Sequence, residues 1–575
     1  MELEEYIVTL WEMSDLDQFY DDMETAGGNL YIPNRAVNLA LRRPISKNTH
    51  YMLSAEEAET IKNDPRVRAV ISIKQLNNLT ITPNSWESGT KTFVRSIFNS
   101  NQNSNTYNWA LLRCTNINNI KTGNYMWGSE YSNITQTANI GHSLSGKNVD
   151  VIIIDGHFDP THPEFAVNAD GTGGSRVNQF DWYSLNSIVI GLDDDAIPMP
   201  SGSYSYAQTG ITGVWENHGC GNAGVSCGNT NGFARDANIY NIEPGGQIIV
   251  GGEVYNFDYL LYDYIRAFHL NKSINVNTGR KNPTVATLSY GSVGYSPYNN
   301  TNHPVTEINY RGTIITNGGS PLTNAQLTSA GINFQSEYVS VFSIQVGVDA
   351  LMSDIEQAVA DGIIVVGSAG NDSQYIDVVG GVDYDNYFYT PVNGTPTKTY
   401  YMRGSHGSAV GVITVGSISQ GVWGGFPESN SEYKSDFSNT GPRVDIYAPG
   451  GYIITSALDY DHATNGITDP RNPSYYKQIA SGTSKAAPIV AGVIACVLEM
   501  YPDMSPAEMK QYLTYHAGTN KLNSVDPFGN EILGNNKYLY AYPERPKNGV
   551  AFPKVNYKLR PDSGVVYPRR RIPPK

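Results

Sequence analysis

The chain has 575 residues and a net charge of −15, with 40% hydrophobic and 16% charged residues. This composition indicates a folded globular protein rather than a disordered one, and the length makes more than one domain the starting expectation. The negative charge makes duplex nucleic acid and anionic membranes poor partners for the surface as a whole. Because no run approaches about 18 uninterrupted apolar residues, we expect no membrane span.

The N-terminal sequence MELEEYIVTLWEMSDLDQFY is acidic and lacks the basic start, apolar run and cleavage site of a secretory signal. Four cysteines are too few for a disulfide framework in a chain of this length, and their spacing suits no zinc site. They are Cys114, Cys220, Cys227 and Cys496. Cysteine usage therefore favours a reducing or mixed environment, and the missing secretory signal favours an intracellular or virion-associated location.

Residues 1–76 are predicted to form a small α+β domain. The pattern indicates helices over 15–25 and 55–63, and strands over 6–10, 37–41 and 67–73. Ser54 stands where a helix N-cap is expected, with Glu57 at the capping-box position. The following residues, 77–143, are polar and Asn-rich, which predicts a linker and an irregular lead-in.

Residues 144–543 have the pattern of an α/β domain. Five near-continuous apolar runs predict strands that are covered on both faces: VDVIIID, ANIYNIE, TVATLSY, IIVVGSAGN and VITVGS. Residues 257–270 and 347–360 carry helical periodicity between them. This alternation predicts a mainly parallel sheet with helices on both faces. In such sheets the chemistry lies at the carboxyl ends of the strands.

Four residues at these positions carry candidate chemistry. Asp155 ends the first apolar run, His218 begins a Gly- and Ala-rich helical stretch, Asn371 ends VVGSAGN, and Ser484 lies at a helix N-terminus. A carboxylate can orient a histidine, an amide can donate to an oxyanion, and free amides at a helix N-terminus favour developing negative charge. Each residue alone has an ordinary alternative, such as a loop aspartate or a helix-capping serine. Their combination in one order decides between these explanations.

The stretches GTSKAAP, NHG, GSAGN and DGHFDPTHPEF resemble the four signature blocks of the subtilase family. Two connecting stretches, GFARDANIYNIE and DFSNTGPRVDIYAPG, are also similar to this family, and the resemblance covers residues 144–517. It implies a subtilisin-like fold and a serine endopeptidase that hydrolyses extended polypeptide substrates through an acyl-enzyme on Ser484. It also implies that residues 1–76 are an inhibitory propeptide, which would make the protein a self-processing zymogen with its own propeptide as a partner.

The resemblance assigns a role to each candidate residue. Ser484 would be the nucleophile, His218 the general base and then acid, and Asp155 the group that holds the imidazole tautomer. Asn371 and the Ser484 backbone amide would form the oxyanion hole. Two segments would line the substrate cleft, namely Ser289, Tyr290 and Gly291 on one side and Ser368, Ala369 and Gly370 on the other. This chemistry requires no cofactor.

The sequence departs from the family pattern near two of these residues. Gly156 and His157 follow Asp155 where the family usually has Ser or Thr and then Gly, and Gly221 replaces the second histidine of the His218 block. Neither departure removes a catalytic side chain. Cys220 lies two residues after His218, and we expect a buried, unreactive thiol there.

The spacing between the blocks is long, with 63 residues from Asp155 to His218 and 113 from Asn371 to Ser484. Surface insertions of this kind should decorate the cleft without changing the fold. One insertion contains Asp193, Asp194 and Asp195, which could bind structural calcium. A solvated loop is the simpler expectation, because no spaced pattern of oxygen ligands surrounds these residues.

The last residues, 544–575, form a basic, proline-rich tail with two similar units, GVAFPK from Gly549 and GVVYPR from Gly564. The tail is either disordered or a docking segment, and its apolar anchors Phe552 and Tyr567 favour docking to a larger assembly. The tail, the absent signal sequence and the altered blocks support an alternative function. In that alternative the chain is a catalytically weak structural component of an assembly such as a virus particle, and its location would be virion-associated. A lipase-like hydrolase is disfavoured because the candidate residues occur in the chain order Asp, His, Ser.

Overall fold

The computed structural model describes residues 3–32, 39–41, 48–72, 91–95, 107–115, 134–138, 144–156, 158–178, 180, 182–189, 214–244, 247–250, 253–256, 260–294, 304–332, 344–392, 395–419, 433–458, 468–522 and 534–541. The chain divides into two units, residues 1–83 and residues 84–575. Both this boundary and the predicted boundary at residue 76 lie in the segment 73–90, outside the described residues. His157, the run Asp193 to Asp195 and the tail also lie outside them.

The N-terminal unit is a four-stranded antiparallel sheet with two helices. Its helices are Leu16–Glu24, preceded by the 3-10 turn Met13–Asp15, and Ala55–Lys62. Its strands are Glu4–Leu10, Leu39–Leu41, Asn48–Leu53 and Val67–Ser72. In the sheet the second strand pairs with the third, the third with the first, and the first with the fourth. This is the β-α-β-β-α-β arrangement of ferredoxin-like domains.

Alternation along the first strand explains the core of this unit. Val8 and Leu10 point inward against Phe19 and Met23 of the first helix. The predicted α+β domain and the capping box of Ser54 are confirmed. The strand Asn48–Leu53 was not predicted, because its sequence NTHYML does not alternate cleanly between polar and apolar residues.

The larger unit is built on a mainly parallel sheet. From one edge to the other its strands are Gly518–Thr519, Lys537–Tyr538, Ile446–Pro449, Ile413–Ser419, Ile364–Ser368, Thr284–Leu288, Asp150–Ile154, Asn238–Ile242 and Val177–Asn178. The short strand Tyr433–Lys434 pairs antiparallel with Ile413–Ser419. All five predicted apolar runs are strands of this sheet, so the predicted α/β class is confirmed.

Both faces of the sheet are covered, as the continuous apolar runs predicted. Val151 and Ile153 belong to the core on one face, with the helices Val214–Cys227, Thr483–Met500, Pro506–His516 and Trp109–Cys114. Ile152 and Ile154 belong to the core on the other face, with the helices Leu261–Asn271 and Asp349–Ala360. Alternating side chains of one strand thus supply both cores.

The helix Thr483–Met500 is the central element of the first face. Among the helices in the described ranges it is the one long and apolar enough to cross a membrane, but 89% of it is buried inside the protein, as in a core helix. It packs against Val214–Cys227. A Cβ on Gly492 would lie only 2.5 Å from the carbonyl oxygen of Ser226, so glycine is what allows this close approach.

Part of residues 77–143, predicted to be a linker, belongs to the core of the larger unit. The helix Trp109–Cys114 is buried, and Trp109 Nε1 donates to the Gly451 carbonyl at 3.2 Å. The Arg113 guanidinium stacks 3.7 Å from the centre of the Tyr538 ring. The strands Lys91–Arg95, Tyr107–Asn108 and Ile134–Ala138 form a small sheet beside this helix. The linker prediction was wrong here because a polar, Asn-rich composition hid the short apolar stretch WALLRC.

Two hairpins from separate segments of the chain pair with each other in an accessory sheet. Glu307–Tyr310 and Thr313–Thr316 form a hairpin that pairs with a second hairpin, Tyr387–Val392 and Thr395–Tyr400. Ile308 and Phe388 pack in a separate small core. The second hairpin belongs to the long segment between Asn371 and Ser484, so this predicted insertion does more than decorate a loop.

Shorter elements complete the larger unit. The strands are Gln247–Val250 with Glu253–Asn256, Ser292–Gly294 with Ile344–Val346, and Ile453–Ala457 with Asn472–Ala480 and Thr468–Asp469. The helices and 3-10 turns are Asn186–Val189, Asn324–Ser329, Pro163–Phe165, Trp182–Leu185 and His406–Ser408.

We expect Gly492→Ala to lower the free energy of unfolding by about 1–3 kcal/mol, because the added methyl group forces the two helices apart. A glycine-to-alanine change inside a helix otherwise stabilises the helix by about 1 kcal/mol. A decrease in stability would therefore point to the close helix contact. Denaturant unfolding measures the change. Ala507→Ser, which adds one atom at an exposed helix position, is the control. Unchanged or higher stability of Gly492→Ala would contradict the close helix contact.

Candidate active site

Asp155 directly follows the strand Asp150–Ile154, and its side chain is 1% exposed. Its Oδ1 accepts hydrogen bonds from the Gly156 amide at 2.9 Å and from His218 Nδ1 at 2.8 Å. Its Oδ2 lies 3.0 Å from His218 Nδ1 and accepts from Asn222 Nδ2 at 2.6 Å. The carboxylate therefore has a donor at each oxygen, which a buried charge requires.

His218 lies in the second turn of the helix Val214–Cys227, with 24% of its side chain exposed. Because Nδ1 faces the Asp155 carboxylate, that nitrogen carries the proton and Nε2 is left as the basic nitrogen. Lys485, the residue after Ser484, reaches the His218 carbonyl oxygen at 3.3 Å. The contact brings the two helices that carry His218 and Ser484 together at this end of the sheet.

Ser484 is the second residue of the helix Thr483–Met500, so its backbone amide belongs to the first turn, which has no partner within the helix. Pro488 lies four residues later and has no N–H to donate to the Ser484 carbonyl. Ser289 Oγ donates to that carbonyl instead, at 3.1 Å. Proline and Ser289 together fix the backbone of the candidate nucleophile against a neighbouring strand end.

Asn371 follows the strand Ile364–Ser368 and faces the same helix N-terminus. Its Oδ1 accepts from both the amide and the hydroxyl of Thr483, each at 2.8 Å. Oδ1 is thereby held toward the helix, and Nδ2 is directed to the other side. The position that a Cβ would take on Gly482 marks a small space next to these groups. It is 2.8 Å from Ser484 Oγ and 3.5 Å from both Asn371 Nδ2 and the Ser484 amide. A hydroxyl and two N–H donors therefore surround one small space beside Gly482.

Asn439 holds the loop that carries Asn371. Its Oδ1 accepts from the amides of Asp372 at 3.1 Å and Gln374 at 2.8 Å, and its Nδ2 donates to the Ala369 carbonyl at 2.8 Å. This side chain is completely buried. One amide thus bonds the backbone on both sides of Asn371 and fixes its position.

The predicted substrate segments lie side by side. The strands Thr284–Leu288 and Ile364–Ser368 are parallel neighbours, so Ser289, Tyr290 and Gly291 end at the same sheet edge as Ser368, Ala369 and Gly370. The Gln345 side chain lies close to both segments. Its Oε1 would lie 3.1 Å from a Cβ on Gly291 and 2.9 Å from one on Gly370. The structure places a polar side chain between the two predicted walls.

Cys220 is completely buried, as expected, and burial raises the pKa of its thiol to about 12, which disfavours the reactive thiolate. Cys220 and Cys227 are both free, as are Cys114 and Cys496. In the part of the chain that the structure describes, no group of three or more His, Cys, Asp or Glu side chains is arranged to hold a metal ion.

A buried ion pair fixes the loop after Asp155. Glu164 is completely buried and lies 2.7 Å from Arg471 Nη2, while the amide of Thr230 donates to its Oε2 at 2.9 Å. Burial alone would raise the pKa of Glu164. The positive charges of Arg471 and Lys477 and the hydrogen bonds from Thr230 outweigh this effect of burial, and they hold the pKa of Glu164 at about 2.

Four residues of the site were missed by sequence reasoning: Asn222, Gln345, Asn439 and Lys485. Two of them left a signal. Asn222 is four residues after His218 and so lies on the same helix face, and Lys485 is a lone charge in the apolar run that follows Ser484. Gln345 and Asn439 are distant in sequence and left none.

The profile of the subtilase family, Peptidase_S8, matches residues 146–535. The chain belongs to this family. The extracellular serine proteinase of Thermus sp. (strain Rt41A) is 28% identical over 184 residues, which are 32% of this chain and 33% of that protein. The serine protease AprX of Bacillus subtilis (strain 168) is 30% identical over 207 residues, 33% of this chain and 40% of AprX.

The chain thus spans well under half the length of these curated relatives. A solved cold-adapted subtilisin-like serine proteinase aligns at 18% identity over 75% of this chain and 97% of its own, with a TM-score of 0.39. The family match and the sheet topology define the fold.

We expect Glu164→Gln to lower the free energy of unfolding by about 3 kcal/mol at neutral pH. The folded pKa of Glu164, about 2, lies below its ordinary value of 4.5. The ionised Glu164 therefore makes its full contribution to the free energy of unfolding above pH 4.5, and this contribution is lost as the pH falls toward 2. Denaturant unfolding of both proteins between pH 3 and 7 measures this difference. Asp263→Asn, at a partly exposed ion pair, should change little, and a pH-independent difference for Glu164→Gln would contradict the prediction.

Proposed function

We propose that this protein is a serine endopeptidase that acts on extended polypeptides, with Asp155, His218 and Ser484 as its triad. The proposal rests on the small space beside Gly482. Ser484 Oγ, the Ser484 amide and Asn371 Nδ2 all border this space. A nucleophile next to two N–H donors suits attack on a carbonyl and stabilisation of the resulting oxyanion. The serine proteases among its relatives support the same reaction.

In acylation, Ser484 Oγ attacks the carbonyl carbon of the scissile peptide bond while His218 Nε2 accepts the hydroxyl proton. The carbonyl oxygen becomes negatively charged and is bound by Asn371 Nδ2 and the Ser484 amide. Asp155 stabilises the imidazolium through its 2.8 Å contact with Nδ1. The imidazolium then protonates the leaving amine as the C–N bond breaks, which leaves the acyl group as an ester on Ser484.

In deacylation, water takes the place of the amine. His218 Nε2 accepts a proton from the water as its oxygen attacks the ester carbonyl, and the same two donors bind the second oxyanion. The imidazolium returns the proton to Ser484 Oγ as the ester bond breaks. The carboxylic acid product leaves, and the enzyme is restored with all protons accounted for.

Substrate would bind as an extended strand. The segments 289–291 and 368–370 both follow strand ends beside Ser484. Backbone pairing to such segments binds a polypeptide with little regard to its sequence. Gln345, between the two segments, would then contact the substrate side chain next to the scissile bond.

The N-terminal unit supports a further part of the proposal. It has its own buried core and a regular ferredoxin-like topology, so it can fold as a separate domain. We therefore include self-processing, in which this unit is the inhibitory propeptide and is released by cleavage. Three features stay predictions from sequence: a solvated loop at residues 193–195 with structural calcium there as the alternative, docking of the tail to a larger assembly, and a virion-associated or intracellular location.

A fluorophosphonate should label Ser484 covalently, because the activated hydroxyl attacks phosphorus and expels fluoride as it attacks a carbonyl. Mass spectrometry of the digested protein should find the added mass on the peptide that contains Ser484. Ser484→Ala and His218→Ala should not be labelled. Ser481→Ala, which removes an exposed serine three residues away, should be labelled like the wild type. Absence of label from a folded, mature wild type would refute the endopeptidase proposal.

Ser484→Ala should remain full length after purification, whereas the wild type should lose N-terminal residues, since cleavage requires the nucleophile. Intact-mass measurement and N-terminal sequencing compare the two proteins. Mixing a small amount of wild type with tagged Ser484→Ala then distinguishes cleavage between molecules from cleavage within one. Identical masses for the separately purified proteins would remove self-processing from the proposal and leave the chemistry of Ser484 untouched.

A further inference from the structure

Lys485 follows Ser484 and is a buried lysine inside the candidate site. It is 2% exposed. Its Nζ donates to Asn222 Oδ1 at 2.6 Å and to the His218 carbonyl at 3.3 Å. Asn222 Nδ2 in turn donates to Asp155 Oδ2 at 2.6 Å. A continuous chain of hydrogen bonds therefore runs from the lysine to the carboxylate that holds His218.

The residue at position 221 makes room for this lysine. A Cβ on Gly221 would lie 3.1 Å from Lys485 Nζ, 2.9 Å from Gln478 Nε2 and 3.0 Å from Thr455 Cγ2. A larger side chain at this position would require these neighbours to move, Lys485 among them. Gly221, which replaces a histidine of the family pattern, therefore lies directly beside the amine of Lys485.

The polarity of the hydrogen-bond chain is set at both ends. A charged lysine can only donate, and an ionised carboxylate can only accept. The Asn222 amide between them has one orientation that satisfies both, with Oδ1 toward Lys485 and Nδ2 toward Asp155. We infer that Lys485 is a positioning residue for the triad, which fixes the Asn222 amide and through it the Asp155 carboxylate that orients His218.

The environment of Lys485 makes this arrangement sensitive to pH. Burial lowers the pKa of Lys485 to about 8, against the opposing pull of Asp155 and Cys220. The groups that face Lys485 come from several elements. They are Asp155 at the end of the strand Asp150–Ile154, the residues His218, Cys220 and Asn222 on the packed helix, and the neutral Thr455 and Gln478 on two strands. A neutral amine can also accept a hydrogen bond, so above this pH the orientation of Asn222 is no longer unique.

The catalytic meaning of this inference rests on the proposed function, but a test exists that needs no turnover. In Ser484→Ala, the Nδ1 proton of His218 can be followed by NMR from pH 6 to 10 and assigned by its absence from Ser484→Ala/His218→Gln. Its signal should move with a midpoint near pH 8, the pKa of Lys485. This movement should disappear when Lys485→Met or Asn222→Ala is added.

Lys272→Met is the matched control. Lys272 is another buried lysine, paired with Asp150 at the start of the strand Asp150–Ile154, opposite the end that Asp155 follows. Its loss should leave the movement in place. Persistence of the movement in Lys485→Met, or its absence from Ser484→Ala, would overturn the inference. If Lys485→Met does not fold, Asn222→Ala decides the question, because it keeps the lysine and breaks the connection.

In the protein that retains Ser484, Lys485→Met should lower kcat about tenfold and leave KM unchanged, as expected for one lost positioning hydrogen bond. In the Asn222→Ala background the same change should have little further effect, because the two residues act as one unit. Additive losses would overturn a connection through Asn222. A protein that is not labelled at Ser484, yet shows the expected NMR movement, would refute the endopeptidase and retain the positioning role.

Discussion

Two helices can lie in close contact on one face of the sheet because Gly492 has no side chain to meet the carbonyl of Ser226. One of them carries His218 and the other begins at Ser484. Their N-terminal parts reach the edge where the parallel strands end, and Asp155 and Asn371 follow two of those strands. The site therefore exists only where this helix contact and the common polarity of the strands coincide.

The fold and the main candidate residues were predictable because their signals are local. Buried parallel strands appear as continuous apolar runs, and the residue just after each run lies at the chemically useful edge. Asp155 and Asn371 could be found in this way. His218 and Ser484 became convincing through the motifs around them, since a histidine or a serine at a helix start is common in any protein.

Most of the features that the sequence did not reveal depend on contacts between residues that are far apart along the chain. Lys485 is a donor to Asn222 only because two helices meet, and a lysine in an apolar run could equally have pointed to solvent. The accessory sheet needs hairpins from two separate segments of the chain, neither of which buries its apolar face alone. The helix Trp109–Cys114 was hidden because six residues are too few for a periodic pattern.

That short helix also sets a limit on how far the chain can be trimmed. Trp109 and Leu111 are buried in the same core as the strands that carry the site, and the Ala541 amide donates to the Cys114 carbonyl at 2.8 Å. A shortened form that began beyond Cys114 would lose these apolar side chains and leave polar groups at the sheet edge unpaired. A stable trimmed chain must therefore begin before Trp109, however much of the preceding sequence is removed.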